Sequence, residues 1–397
     1  MATTSRSPSL ITSIEIFRVP PRWIFIRVQT SDGIIGWGEG SLEGHTEAVE
    51  GAYFDLRERF VGWDADNIQD IWQTAYRSRF HRGGPVLMSA LSGLDIALWD
   101  IKGKKLGVPV WQLLGGKVRD RVRVHCWIGG DDVTDLFGLA MVRIKQGFTA
   151  VKLDLSGGVN WVDSPSVLDD TATRVKDVRS LGLDVIVDFR GRLHKGMAKR
   201  LAKLVEPHSP LFITEPFPPA QPDEVADLAK STATPIGLGA RLYSRSDFRP
   251  YLEKRALEVA QPSVSHCGGI SELYRIAALA ETYDVALAPY CPLGPIALAA
   301  CIQVALAAPN FTIQEMNVDV QYNVEIAPSC EPDLHTYLLN PEVFNVKEGF
   351  VSALSGPGLG IELNERLIRE YSIKYVRGFK AWRNPVMRGK DGGLLDS

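Results

Sequence analysis

The chain is poor in cysteine. It has five in 397 residues, Cys126, Cys267, Cys291, Cys301 and Cys330, odd in number and widely scattered. That excludes a disulfide framework, and the lack of any CxxC spacing excludes a thiolate metal centre. An excess of one charge is missing too. With 44 Lys and Arg against 47 Asp and Glu, and a net charge of −3, nothing supplies the basic field or the aromatic-interleaved Lys/Arg cluster that a phosphate backbone requires. Nucleic acid is excluded as a partner. No apolar run approaches the roughly 20 residues of a spanning helix, and the first nine residues carry no apolar segment behind Arg6. The expectation is a soluble cytoplasmic protein with no membrane partner, opening on a disordered polar tail over residues 1–10. Low-complexity segments and short repeats are also absent.

What is present is an apolar fraction of 45%, ordinary for a globular chain with a large core, and enough length for two domains. Residues 11–19 and 23–29 alternate as strands do, and Ser31-Asp32-Gly33 reads as a hairpin turn into 34–39. Helical spacing follows over 46–59, 67–77 and 85–105, the last closed by Gly107 and Pro109. This order predicts an α+β capping domain over 11–120. From Val122 the rhythm becomes strand, helix, strand, with 150–154 as the first strand end. Apolar runs then end on Asp188, Glu215, Ala240, Ser263, Tyr290 and Glu315, about every 25 residues, the length of one βα unit in a closed parallel barrel. The expected fold is α/β, the cap plus a (β/α)7β TIM-like barrel over 121–355, with residues 356–397 returning to the cap.

Several blocks sharpen this. Pro20-Pro21-Arg22-Trp23, Gly36-Trp37-Gly38-Glu39, Arg82-Gly83-Gly84-Pro85, Ala97-Leu98-Trp99-Asp100-Ile101-Lys102-Gly103, Pro109-Val110-Trp111-Gln112-Leu113, Ala288-Pro289-Tyr290-Cys291-Pro292-Leu293-Gly294-Pro295 and Trp382-Arg383-Asn384-Pro385 resemble the galactonate dehydratase family of the enolase superfamily, of mandelate racemase/muconate lactonizing type. The resemblance covers nearly the whole chain. It implies three acids, at the ends of the second, third and fourth barrel strands, holding a Mg²⁺ that grips the substrate carboxylate. It also implies one histidine that removes the adjacent proton and another that helps expel a hydroxyl group.

Position by position, Asp188 and Glu215 match the first two metal ligands, and Glu315 on the seventh strand is kept. The third ligand is replaced by Ala240. Arg190 stands where the first histidine belongs, Tyr290 where the second belongs, and Ser263 where an aspartate follows Gln-Pro. A guanidinium is permanently charged and accepts no proton near neutral pH. The changes fall on chemical positions while the flanking blocks persist.

The remaining candidates carry paired readings. Arg190 either serves a substrate or fills the place of the ion by pairing with Asp188 and Glu215. Lys152 is a base or donor, or the partner of Asp154. Tyr290 is a hydrogen-bond donor or an aromatic wall. His266 is the nearest imidazole to the barrel mouth, or a structural loop residue. His45 and His81 are weaker candidates from the cap, and Arg22 and Trp23 are expected on a cap loop facing the pocket.

Three functions follow. The first is a metal-independent isomerase, lyase or cyclase, pericyclic Diels-Alder closure included, acting on a small, largely uncharged metabolite. It would use Tyr290, Arg190, Lys152 and His266, in a pocket with Arg22, Trp23, Asp188, Glu215, Ala240, Ser263 and Glu315. No cofactor is expected there. The second is a residual sugar-acid dehydratase with Mg²⁺ at Asp188 and Glu215. The third is an inactive relative with a closed mouth, kept for binding or assembly. The family resemblance adds the expectation of a homo-oligomer.

Overall fold

The computed structural model describes residues 7–129, 135–155, 159–318, 332–376, 388 and 392–394. Cys330 and Trp382-Arg383-Asn384-Pro385 lie outside the described residues. Strands β1 (Ile11–Val19), β2 (Trp23–Thr30) and β3 (Ile35–Glu39) form an antiparallel meander in that order. Residues 31–33 make its second turn, as the Ser-Asp-Gly signal predicts. Ser9 is buried, its hydroxyl donates to Asp32 at 2.8 Å, and Leu10 bridges Asp64, so order begins before residue 11.

Helices α1 (Thr46–Phe60), α2 (Ile68–Arg77) and α3 (Gly84–Leu106) follow, and the short α4 (Val110–Leu113) leads out of the cap. Strand β3 lies so close to α3 that a Cβ on Gly38 would strike the Gly93 carbonyl, so sheet and helix touch backbone to backbone. At 23 residues, α3 is long and apolar enough to cross a membrane, which corrects the reading that no run approaches that length. Its sides are nevertheless buried within the protein, so it is the core helix of the cap.

The barrel runs β4 (Arg121–Ile128), α5 (Leu136–Lys145), β5 (Ala150–Asp154), α6 (Pro165–Arg179), β6 (Asp184–Asp188) and α7 (Lys195–Val205). It continues β7 (Phe212–Thr214), α8 (Pro222–Ala229), β8 (Ile236–Leu238), α9 (Arg245–Glu253), β9 (Val259–Ala260) and α10 (Gly269–Glu281). Strand β10 (Ala286–Leu287), α11 (Pro295–Ala307) and β11 (Gln314–Met316) complete it. Neighbouring strands pair in parallel, β11 returns to β4, and a Leu287–Phe311 bridge closes the circuit. Among the described residues, seven helices between eight strands make the (β/α)7β barrel. The strand count is corrected by one. β4 is the first strand, so Asp188, Glu215 and Ala240 end or follow the third, fourth and fifth, not the second, third and fourth. Outside the ring, β12 (Phe350–Ser352) pairs antiparallel with β4. Helix α12 (Glu365–Val376) returns to the cap, where Arg369 bonds Glu15 of β1 at 2.8 Å.

Cap and barrel are joined by a buried acid. Glu39, at the end of β3, accepts from Gly294 N at 2.8 Å and Ala297 N at 3.0 Å, and from the Ser41 hydroxyl at 3.0 Å. It thereby caps α11, where the helix N-terminus favours a negative charge. A Cβ on Gly294 would meet both carboxylate oxygens at 2.8 Å, which keeps that position glycine. Burial outweighs the donors and pushes the Glu39 carboxyl up to about 7. The folded state therefore holds this proton more tightly than the unfolded chain. Its contribution to stability is full below the ordinary carboxyl range and lost as pH rises through about 7. Against a Glu39→Gln variant, wild type should gain about 2–3 kcal/mol between pH 8 and pH 5, read from urea midpoints. Parallel pH profiles for the two proteins would contradict this assignment.

Candidate active site at the barrel mouth

The C-terminal ends of parallel strands project side chains into one mouth, and here a cavity of about 330 Å³ opens between that mouth and the cap. Asp188, Arg190, Glu215, Ala240, Arg241, His266 and Tyr290 line it from the barrel side, with Leu42, Glu43, His45 and Pro85 from the cap. Two of these residues, Arg190 at φ 51° and Glu215 at φ 46°, occupy the left-handed region, which side-chain-bearing residues rarely adopt. Such strain persists where surrounding bonds over-determine the backbone, and it clusters at functional sites.

Register explains the charge pattern. Asp154 on β5 stands opposite Asp188 on β6, so two carboxylates meet at adjacent strand ends. Arg190 answers both: its guanidinium binds Asp154 at 2.8 Å, and its backbone N–H donates to Asp188 Oδ1 at 2.7 Å. Burial opposes the guanidinium charge, but Asp154 and Asp188 outweigh it and hold the charge in place. The expected clamp of Arg190 across Asp188 and Glu215 is therefore corrected in its partner. Glu215 is held instead by Gly239 N at 2.8 Å, Ala240 N at 3.0 Å and Arg241 at 3.2 Å. Arg241 packs against Gly191, where a Cβ would collide with the guanidinium.

Lys152 is also corrected. Its ammonium binds Glu315 and lies 3.5 Å from Asp188, while the Asp154 expected as its partner takes Arg190. Lys152 and Glu315 lie beneath the cavity at 3% and 2% side-chain exposure, with the ammonium 4.9 Å from the Tyr290 ring centre. Cys291 N supplies Glu315 with a further donor at 3.1 Å. Burial raises the Asp188 carboxyl to about 6, Lys152 lowering it and Asp154 adding to the rise. Half-buried Glu43 is likewise pushed up by burial, against Arg22, Arg190 and Lys152.

His266 is better placed than a loop histidine has to be. It is buried, and Nδ1 lies 2.9 Å from the Ser89 hydroxyl of α3. That hydroxyl donates its single proton to Pro85 O at 2.7 Å, so it accepts from Nδ1–H, and Nε2 is left with a lone pair. Burial, opposed by the Ser265 carbonyl, pushes the imidazole down to about 4, so it is neutral at pH 7. The rest of the loop is gripped by the same helix face. Ser92 accepts from Gly268 N at 2.8 Å, and Asp95 accepts from Ser271 N at 2.9 Å. Trp72 of α2 donates to Gly268 O at 2.8 Å.

Some expected pocket residues lie elsewhere. Arg22 and Trp23 are buried at the domain junction, Arg22 reaching Pro292 O at 3.4 Å and Trp23 stacking on Phe25. They dock the cap; they do not line the cavity. Ser263 is fully buried, bridged to Tyr290 through the backbone, and Glu315 sits below the floor. His81 packs on Phe80, away from the cavity lining. Arg241, Arg192, Glu43 and Ser89 were missed, although Ser89, Ser92, Asp95 and Trp99 recur at helical spacing on α3 and carried a signal.

The donor set does not suit Mg²⁺, which demands near-octahedral oxygen coordination. Ala240, beside Asp188 and Glu215 in the lining, presents only a methyl group, Glu315 is committed to Lys152 below, and Arg190 adds a fixed positive charge to the wall. Among the described residues no three His, Cys, Asp or Glu side chains converge on one point. What the arrangement offers is a neutral imidazole, a phenol and guanidinium donors around one cavity.

The chain matches the model "Mandelate racemase / muconate lactonizing enzyme, N-terminal domain" over residues 10–115 and "Enolase C-terminal domain-like" over 138–367. It is 44% identical over 389 residues to the D-galactonate dehydratase of Variovorax paradoxus (strain S110), covering 97% of this chain and 99% of that one. Against the D-galactonate dehydratase of Pectobacterium atrosepticum the identity is 43% with the same coverage. Among solved structures, an enolase from Agrobacterium radiobacter with bound sodium and L-malate aligns at a TM-score of 0.86. That protein is 28% identical over 98% of this chain and 100% of its own.

Proposed function

Because the chain belongs to the enolase superfamily, of mandelate racemase/muconate lactonizing type, we propose that it is an enzyme of that scaffold working without the metal-enediolate step. Its reaction is an isomerisation, lyase step or cyclisation of a small metabolite, pericyclic closure included. The observation that supports this is Arg190, anchored on Asp154 at 2.8 Å in the wall that holds Asp188 and Glu215, with Ala240 beside them. A guanidinium there stabilises developing negative charge on a substrate oxygen, as a metal ion would, but by hydrogen bonds and charge without coordination. His266 Nε2 accepts a proton, and Tyr290 and Arg241 orient the substrate. Lys152 acts from below by holding Glu315 and Asp188 in place, so it is a positioning residue.

A second reading, a Mg²⁺-dependent sugar-acid dehydratase, is favoured by the 44% identity to D-galactonate dehydratases and by His266 as a ready base. An inactive relative fits less well, since the mouth holds an open cavity. Calorimetric titration of metal-stripped protein with Mg²⁺ and Mn²⁺, beside a dehydration assay over a panel of sugar acids, separates the first two. The expected result is no binding tighter than millimolar and no turnover. Sub-millimolar binding with turnover decides for the dehydratase. Among the described residues four cysteines are buried and free, which supports a reducing, cytoplasmic setting. Phe137, Met141 and Val142, exposed along α5, support assembly with further copies.

A further inference from the structure

A second cavity, of about 290 Å³, adjoins the first, and Arg192 lines both. Its walls come from the turn into α7, with Leu193, His194 and Lys195, and from the loop into α8 and its first turn, with Pro218, Gln221 and Glu224. Trp161 closes one side. Its indole stacks on the His194 ring with centroids 5.0 Å apart and planes 17° from parallel, yet the residue is 70% exposed. An indole held flat by a neighbour while most of its surface stays in water is an apolar face without an apolar cover. Leu193 and Pro218 add further apolar wall, and a few polar groups stand among them. Lys195 and Glu224 pair at 3.0 Å on the rim, Gln221 offers an amide, and Arg192 stands at the boundary with the barrel mouth.

From this geometry we infer that the second cavity is a subsite for a planar, conjugated ring bearing hydroxyl or carboxylate groups. The ring is one end of a substrate whose reacting end lies in the barrel mouth. The placement of the reacting end rests on the function proposed above; the ring subsite itself does not. A flat π-face matches the Trp161–His194 stack, oxygens on the ring edge match Arg192, Lys195 and Gln221, and a substituent passing Arg192 enters the first cavity. The two cavities together are roomy for a six-carbon sugar acid and suit a larger ligand.

The test uses the full chain and two probes, 6-hydroxy-2-naphthoate and, as a saturated ring with the same carboxylate, D-glucuronate. Calorimetry and saturation-transfer NMR should show the naphthoate binding, with transfer strongest at its ring protons and glucuronate at least about tenfold weaker. Trp161→Ala, at an exposed position that leaves the fold intact, should weaken the naphthoate about tenfold, and Trp161→Phe should restore most of the loss. Four results would overturn the subsite: unchanged affinity in Trp161→Ala, equal binding of glucuronate, no naphthoate binding by wild type up to about 10 mM, or a change in assembly state without a change in affinity. None depends on turnover or metal, so a positive Mg²⁺ titration would remove the proposed reaction and leave the subsite standing.

Discussion

Replacing Lys152 with methionine is expected to destabilise the protein by about 3–5 kcal/mol, the usual consequence of removing one partner from a buried ion pair. The Lys152 ammonium is almost fully buried and neutralises Glu315, which is buried as deeply, with Asp188 3.5 Å away. Methionine keeps the length and apolar stem but takes the ammonium away from both the Glu315 and the Asp188 carboxylates. Cys291 N, at 3.1 Å, is too weak a donor to compensate the Glu315 charge alone. Because Lys152 lowers the Asp188 carboxyl, which burial has raised to about 6, its loss drives Asp188 higher still, toward the protonated form at neutral pH. Urea unfolding followed by tryptophan fluorescence gives the loss directly. A second change, Glu315→Gln, removes the unpaired charge and should recover at least half of it. A loss below about 1 kcal/mol for Lys152→Met would show that water or another group already satisfies Glu315.

The same residues show what a sequence can and cannot carry. Strand ends such as Asp188 and Glu215 were legible because doubly covered parallel strands are short apolar runs that stop where the mouth begins. β4 was miscounted for a physical reason. Its sequence RVRVHCWI alternates charged and apolar residues, because one side carries Arg121 and Arg123 at the end of the strand that β12 pairs with antiparallel. Ala240, Arg190 and Tyr290 were singled out by the resemblance, and all three line the cavity. Their partners were not legible, since partners follow from register. Asp154 meets Arg190 only because β5 and β6 align it with Asp188, and Lys152 meets Glu315 only because β11 closes onto β4. The polar face of α3 was hidden by the helix's apolar average, although its one-turn spacing marked Ser89 and Asp95. Arg22 and Trp23 were misplaced because a loop beside a pocket in sequence can be a wedge between domains in space.

Introducing the two side chains that the resemblance implies at these positions, with Arg190→His and Ala240→Glu together, is expected to create Mg²⁺ binding at least about tenfold tighter than in wild type. The reasoning is a charge count. Asp188 and Glu215 stand at adjacent strand ends, and the position after Gly239 is next in the circuit, its N–H already 3.0 Å from Glu215. A carboxylate there supplies a third hard ligand from a third strand, while removing the guanidinium takes away the positive charge that now occupies the wall. Without metal, three carboxylates crowd one mouth and the double variant should be less stable than wild type. With Mg²⁺ present, binding to the folded state alone should raise its unfolding temperature in proportion to the logarithm of free metal. Arg190→His also strips Asp154 of its partner, so Ala240→Glu alone serves as the second variant, with a smaller gain because Arg190 remains. Calorimetry and thermal unfolding over a Mg²⁺ series read both. If neither variant binds more tightly than wild type, Arg190 and Ala240 are not what bars the ion. If wild type already binds below millimolar, the metal-free reaction is the wrong one.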